Sequence, residues 1–266
     1  MATRPATLPP PTRPSASAPN PAAPATRVRV PEVRDLGASR HDAITAQRWV
    51  AQGTSKVLGE VDVEEATLHG GIAIRGTLTA DRVHLDGYLE VEGPTRVAHQ
   101  LALAGDARFT SDVRAGEMRG EGSIEVGGPL VVAGTLAWTG HLDVRGDVRA
   151  AALRFDGRLT VQGNLYADTV EGTLRGASRV QNILAPSIAI DRHAPLFGAK
   201  GCLDALRIEG REVRLAGVVA QYLRADRASL GPDCHIARLD GTIVRRHASA
   251  RVGPESTSPR PYGLRR

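Results

Sequence analysis

The residues able to do chemistry are few and poorly placed for it. Eight histidines are scattered between His41 and His247, and no two stand at the His-x3-His spacing that suits a metal ion. Cys202 and Cys234 are the only cysteines, and neither has a thiol near it in sequence, so no disulfide framework and no cysteine metal site are expected. His235 directly follows Cys234, which suggests a nucleophile beside its base. On a strand, however, successive side chains point to opposite faces, so these two cannot share a proton. Cys234 therefore reads as structural. The chain has no Walker loop, no Gly-x-Ser-x-Gly elbow and no dinucleotide fingerprint. Glu64 and Glu65, like the acidic residues at alternate strand positions, read as part of a wetted outer face. The expectation is a non-enzymatic protein without cofactor or metal.

Composition says what kind of body holds these residues. Of 266 residues, 41% are hydrophobic but only 3% are aromatic. The core must be built from Val, Leu, Ile and Ala in thin, repeated layers. So few rings leave no stacking platform for single-stranded nucleic acid, and no specific nucleic-acid partner is expected. No run of apolar residues approaches the roughly 18 needed for a membrane helix. The start, MATRPATLPPPTRP, lacks the apolar segment of a secretory signal, which points to the cytoplasm. The net charge of +5 belongs to the two ends: residues 1–55 and 246–266 carry +4 each, leaving −3 between them. Basic ends favour weak contact with an anionic surface, such as membrane lipid or an acidic partner.

The chain divides by pattern. Residues 1–38 hold most of a proline-rich stretch too poor in large apolar side chains to offset its ordering entropy, and read as a disordered arm. Residues 39–55 read as a short helix or cap. Within them, 39–52 offer Ser39 as N-cap, Ile44, Trp49 and Val50 as an apolar side, and Gly53 as a stop. From residue 56, apolar and polar residues alternate in short runs broken by glycine, which is strand signal. Glycines recur 17 or 18 residues apart, as in Gly70, Gly87, Gly105 and Gly122, and often six apart within that unit. Such a unit is one three-cornered coil of a parallel β-solenoid with three short strands. The fold class is all-β. Inward positions are Val61, Val63, Ile72, Ile74, Leu78, Val83, Leu85, Leu89, Val91, Leu101, Leu103, Ile124, Val126, Leu142, Val144, Leu153, Leu159, Val161 and Leu165. The main solenoid is read over 56–192, an interruption loop over 193–205, a second solenoid block over 206–245 and a disordered basic tail over 246–266.

Coils such as GTLTADRVHLDGYLEVEG, GHLDVRGDVRAAALRFDG and GRLTVQGNLYADTVEG resemble those of the bactofilins, polymer-forming cytoskeletal proteins of bacteria. The segment LRIEGREVRLAGVVAQYLRADRASLGPDCHIARLDG is similar to the closing part of longer members, with its Gly-Pro-x-Cys-x-Ile element at Gly231, Pro232, Cys234 and Ile236. The likeness covers about residues 56–245. It implies a right-handed parallel β-helix that polymerises end to end without nucleotide. It also implies filaments that scaffold cell-shape, motility or envelope machinery, alone or with a related bactofilin. The chain is about twice the length of compact members and lacks the short apolar N-terminal peptide with which some touch membrane.

A solenoid has two ends at which a whole coil of backbone is unpaired, and such edges are either capped or used. The sequence puts Val57, Leu58, Val61 and Val63 on the first coil and Ile236, Leu239, Ile243 and Val244 on the last. These eight are the expected polymer interface. Two other readings compete: a monomeric solenoid adaptor that binds partners through its flat faces, and a hexapeptide-repeat acyltransferase. The patchy six-residue rhythm disfavours the second.

Overall fold

The computed structural model describes residues 29–193, 200–253 and 255–256. The described residues form a β-solenoid of about 13 turns, with no helix. Its first half is made by β1 (Val30–His41), β2 (Ile44–Val57), β3 (Val61–Ile74), β4 (Leu78–Val91), β5 (Thr95–Phe109), β6 (Val113–Val126) and β7 (Leu130–Val144). The long β8 (Val148–Leu174) runs through more than one turn and is followed by β9 (Ala177–Leu184) and β10 (Ser187–Arg192). The chain then resumes as β11 (Cys202–Leu215), β12 (Val218–Leu230) and β13 (His235–Arg246), and ends in two short pieces, β14 (Arg251–Val252) and β15 (Glu255–Ser256). Every pairing is parallel, each turn lying on the one before it.

One turn shows how sequence becomes fold. In β3, Val61 and Val63, then Ala66 and Leu68, then Ile72 and Ile74 are all buried, while the residues between them face outward. These three apolar pairs line three sides of a narrow tube. Parallel pairing then sets like on like: Val61 on Leu78, Leu68 on Leu85, Ile74 on Val91. All the inward positions read from the sequence are buried. Burying each such aliphatic side chain contributes about 1.5–3 kcal/mol.

Column size is regulated across turns. One column runs Leu103, Gly120, Trp138, Phe155. On its far side, Gly172 lies against the Phe155 ring and pairs with Ile190. The two rings fit because a glycine flanks them above and below. A Cβ at Gly120 would sit 2.7 Å from Trp138 Cζ3, and one at Gly172 would run into the Phe155 ring.

The repeat length follows the glycines. Turns are offset by 17 in β2–β4, as in Val61 and Leu78, and by 18 after the bulge in β5, as in Val83 and Leu101. Between β10 and β11 the offset is 25, as in Ser187 and Glu212, with nine residues between the end of β10 at Arg192 and the start of β11 at Cys202. Later turns shorten to 15, as in Leu203 and Val218, and to 16, as in Val219 and His235. The stack of positive-φ glycines from Gly37 through Gly157 does not reach these later turns, although β1 and β2, within it, are also offset by 16.

Three boundaries need correction. Residues 39–52 are not a helix but parts of β1 and β2, because Ile44, Ala46, Trp49 and Ala51 alternate inward over Val61, Val63, Ala66 and Leu68. The solenoid accordingly begins at Val30 rather than residue 56, so residues 30–38 of the expected arm belong to β1, the first turn. At the other end, strand pairing resumes at Cys202, inside the expected 193–205 loop, and continues past 245 into β14 and β15. The rest of both tails and residues 194–199 lie outside the described residues.

Candidate polymer interface

The N-terminal end is formed by β1, which pairs with β2 on one edge and, among the described residues, with nothing on the other. Its inward side chains differ from those of every later turn. Where Ala51, Leu68 and Leu85 stand in the next three turns, β1 carries Asp35, 5% exposed. Asp35 accepts hydrogen bonds from Trp49 Nε1 at 3.0 Å and Ser55 Oγ at 2.9 Å, and lies 2.8 Å from His41 Nε2. Ser39 and Ser55 join the network, their hydroxyls 2.9 Å apart. Burial alone would raise the Asp35 pKa. The hydrogen bonds from Trp49, His41 and Ser55 outweigh it and hold the carboxyl below its ordinary value. The arrangement contains serine, histidine and aspartate but is not a nucleophile triad, since Ser55 bonds the carboxylate and not the imidazole.

The C-terminal end is built from β13 and the two short pieces that follow. β14 lies on His235 and Ile236, and β15 on Leu239 and Asp240. The stretch Thr242–Arg246 has the preceding turn on one edge only. Ile243 is half-buried there and Val244 is 63% exposed. Arg246 stands beneath Leu230 and donates to the Ala250 carbonyl at 3.2 and 3.0 Å.

The eight residues expected at the ends are therefore divided. Val57, Val61 and Val63 are interior, buried in the second and third turns beneath β1. Leu58 follows β2, its amide bonded to the His41 carbonyl. They were displaced from the end because the solenoid begins a turn and a half earlier than the glycine count from residue 56 suggests. Ile236 and Leu239 are buried under β14 and β15, while Ile243 and Val244 do lie on the last turn. The residues that sequence reading missed are Asp35, His41, Ser39, Ser55 and Arg246. Gly37 and Gly53 extend the glycine column upstream and were the available signal for the first four.

The long sides present charge ladders. Arg48 pairs with Glu65 at 2.9 Å, and Glu125 sits between Arg108 and Arg145, 2.9 Å from each. Arg154 meets Glu171 at 3.4 Å and Arg175 meets Asp156 at 2.5 Å. Asn182 donates to Asn164, which donates to Asp147. Exposed pairs of this kind contribute little each, but a face tiled with them stays hydrated. The side carries one notable apolar feature, a groove of about 690 Å³ where Leu206, Val219 and Ala237 face outward.

A second charged link holds the shortened turns together. Arg192, at the end of β10, reaches Asp233 at 2.5 Å. Asp233 has φ of 54° in the Gly-Pro-Asp-Cys turn. The hydrogen bond and charge of Arg192 hold its carboxyl below the ordinary value. Cys234 is buried, which pushes its thiol pKa up, and its Sγ donates to the Leu215 carbonyl at 3.2 Å. His235 is exposed on the opposite face, as strand alternation requires.

Depressed carboxyls give a signed pH effect. Asp35 and Asp233 stay ionised in the folded chain below the pH at which they protonate when unfolded, near 3.9. Their stabilisation is present above that pH and is lost as pH falls through the lower folded values. Melting temperature should be level near neutrality and decline below about pH 4. Asp35→Asn should lower stability by about 1–3 kcal/mol at pH 7 and reduce the acid slope. Thermal melts across pH test this, and an Asp35→Asn profile parallel to that of the natural chain would contradict the assignment.

Among the described residues, no helix is long and apolar enough to cross a membrane. No family model, curated protein or solved structure matches the chain.

Proposed function

We propose that this chain is a structural, self-assembling scaffold of the bactofilin type. Copies join end to end without nucleotide, and the resulting filaments organise cell-shape, motility or envelope machinery in the cytoplasm. No catalytic step is involved. The observation that carries this reading is the contrast between ends and sides. Each end leaves backbone N–H and C=O groups of a turn without a strand partner among the described residues, whereas the sides are tiled with ion pairs. Unpaired edges are the places where one sheet extends another. The sequence likeness to bactofilin coils points the same way. The basic ends of the chain favour contact with an anionic membrane surface or acidic partner.

The groove at Leu206 and Val219 supports a second reading, in which a single solenoid acts as an adaptor and takes a partner on its side. Pelleting separates the two. Purified protein should sediment as polymer in buffer with neither nucleotide nor magnesium, and adding ATP or GTP should change nothing. Protein that stays in the supernatant as monomer at every concentration would leave only the adaptor.

A further inference from the structure

We infer that the groove on the flank of the late turns docks an extended segment of a partner protein, apolar in its middle and acidic at both ends. The inference rests on the reading that the solenoid carries a partner on its side, as a filament or as a single subunit. Large hydrophobic side chains are seldom exposed among the described residues. Val30 and Leu36 belong to the first turn, Val244 to the last, and Tyr88 stands apart on β4. Leu206 and Val219, 49% and 44% exposed, stand on neighbouring turns and line one groove with Ala237. Its volume of about 690 Å³ suits a bound ligand.

Strand pairing lays Arg179, Asp204, Val219, His235 and Arg251 in one outward column, each on the next turn. Arginines therefore stand at both ends of the groove, with its apolar residues between them. Unlike Arg108, Arg145 and Arg175, neither has an ion pair among the described residues. Asp204 is the single acid in the lining. Charge decides the occupant. Residues 1–28 and 257–266 each carry three arginines and no acid, so the chain's own ends are repelled. A second copy laid groove to groove sets arginine on arginine at both ends, whichever way it runs. Nucleic acid would meet an apolar floor with no Phe, Tyr or Trp to stack on. An acidic and apolar peptide satisfies both the floor and the rim. Arg179 and Arg251 are four turns apart, about 19 Å, which extended chain covers in about six residues. Alternate side chains of such a segment face one way, which gives the pattern Asp-x-Leu-x-Leu-x-Asp.

Fluorescence anisotropy with the labelled peptide Asp-Ser-Leu-Ser-Leu-Ser-Asp and the full chain tests the assignment. This peptide should bind about tenfold or more tighter than versions ending in serine or lysine, and salt should narrow the difference. Arg179→Glu and Arg251→Glu should each weaken binding about tenfold, and Val219→Asp should abolish it. Arg96→Glu, an equal change of charge on β5 outside the groove, should leave it unaltered. Leu206→Asp is the second choice should Val219→Asp lose its strand circular dichroism. Equal binding of the serine-ended and aspartate-ended peptides overturns acidic recognition and leaves side docking standing. Binding of none of the three overturns docking in this groove as well, while self-assembly, read by pelleting, is untouched. Sedimentation velocity of the Ile243→Asp chain covers the remaining occupant: a dimer that Val219→Asp dissolves would give the groove to a second copy and overturn the proposal.

Discussion

Gly122→Val is expected to cost about 3–5 kcal/mol, a large share of the stability of an ordinary domain. Gly122 has φ of 110°, a region that side-chain-bearing residues rarely adopt. It stands in an unbroken stack of glycines, directly paired with Gly105 on one side and Gly140 on the other. A Cβ there would collide with the Gly105 carbonyl oxygen, which is backbone held by the ladder and unable to yield. Backbone strain and collision therefore add. Gly134 is the internal control: its φ is not in the left-handed region, and a Cβ would stand 3.2 Å from the Gly116 carbonyl. Gly134→Ala should cost less than about 1 kcal/mol. Urea unfolding of both variants makes the comparison, and equal losses would show that the corner stack is not what closes each turn.

Val61→Asp and Ile243→Asp should fail in different ways. Val61 is fully buried between Ile44 and Leu78, so an aspartate there is an unpaired charge inside the tube. A cost of about 3–5 kcal/mol is expected, with loss of the strand signal in circular dichroism. Ile243 is half-buried on the last turn, where an aspartate reaches water. That variant should keep its strand signal and lose assembly. Should Val61→Asp remain folded while assembly is lost, Val61 would belong to an end face after all and the placement of β1 would be wrong.

How far the fold was legible depended on whether local and long-range signals agreed. From Val61 to Leu165 they did: alternation, β-branched residues and glycines 17 or 18 apart all called for the same coils, and the inward side chains are where that pattern puts them. Residues 39–52 show the conflict. Locally, Ser39, Trp49 and Gly53 satisfy the signals of a capped helix. Gly53, however, also stands 17 before Gly70, and each turn is held by its neighbour rather than by its own propensity. Tertiary pairing won. Past Gly157 the difficulty was different. There the offset runs from 19 and 18 between β8 and β9 through 25 between β10 and β11 to 15 and 16 in the last turns, and a fixed 17-residue count loses register. The polar lining of the first turn was the hardest to see. Asp35 resembles any surface aspartate until the side chains of Trp49 and Ser55, which flank its partner Ala51 on the next turn, are known to reach it, a relation set by the 16-residue offset between β1 and β2.

Electron microscopy of the purified, nucleotide-free chain tests self-assembly most directly. About 13 turns at roughly 4.8 Å each make a subunit close to 60 Å long. Unbranched filaments with that axial spacing are the predicted result. Separate rods of that length, at concentrations where neighbours constantly meet, would contradict the account.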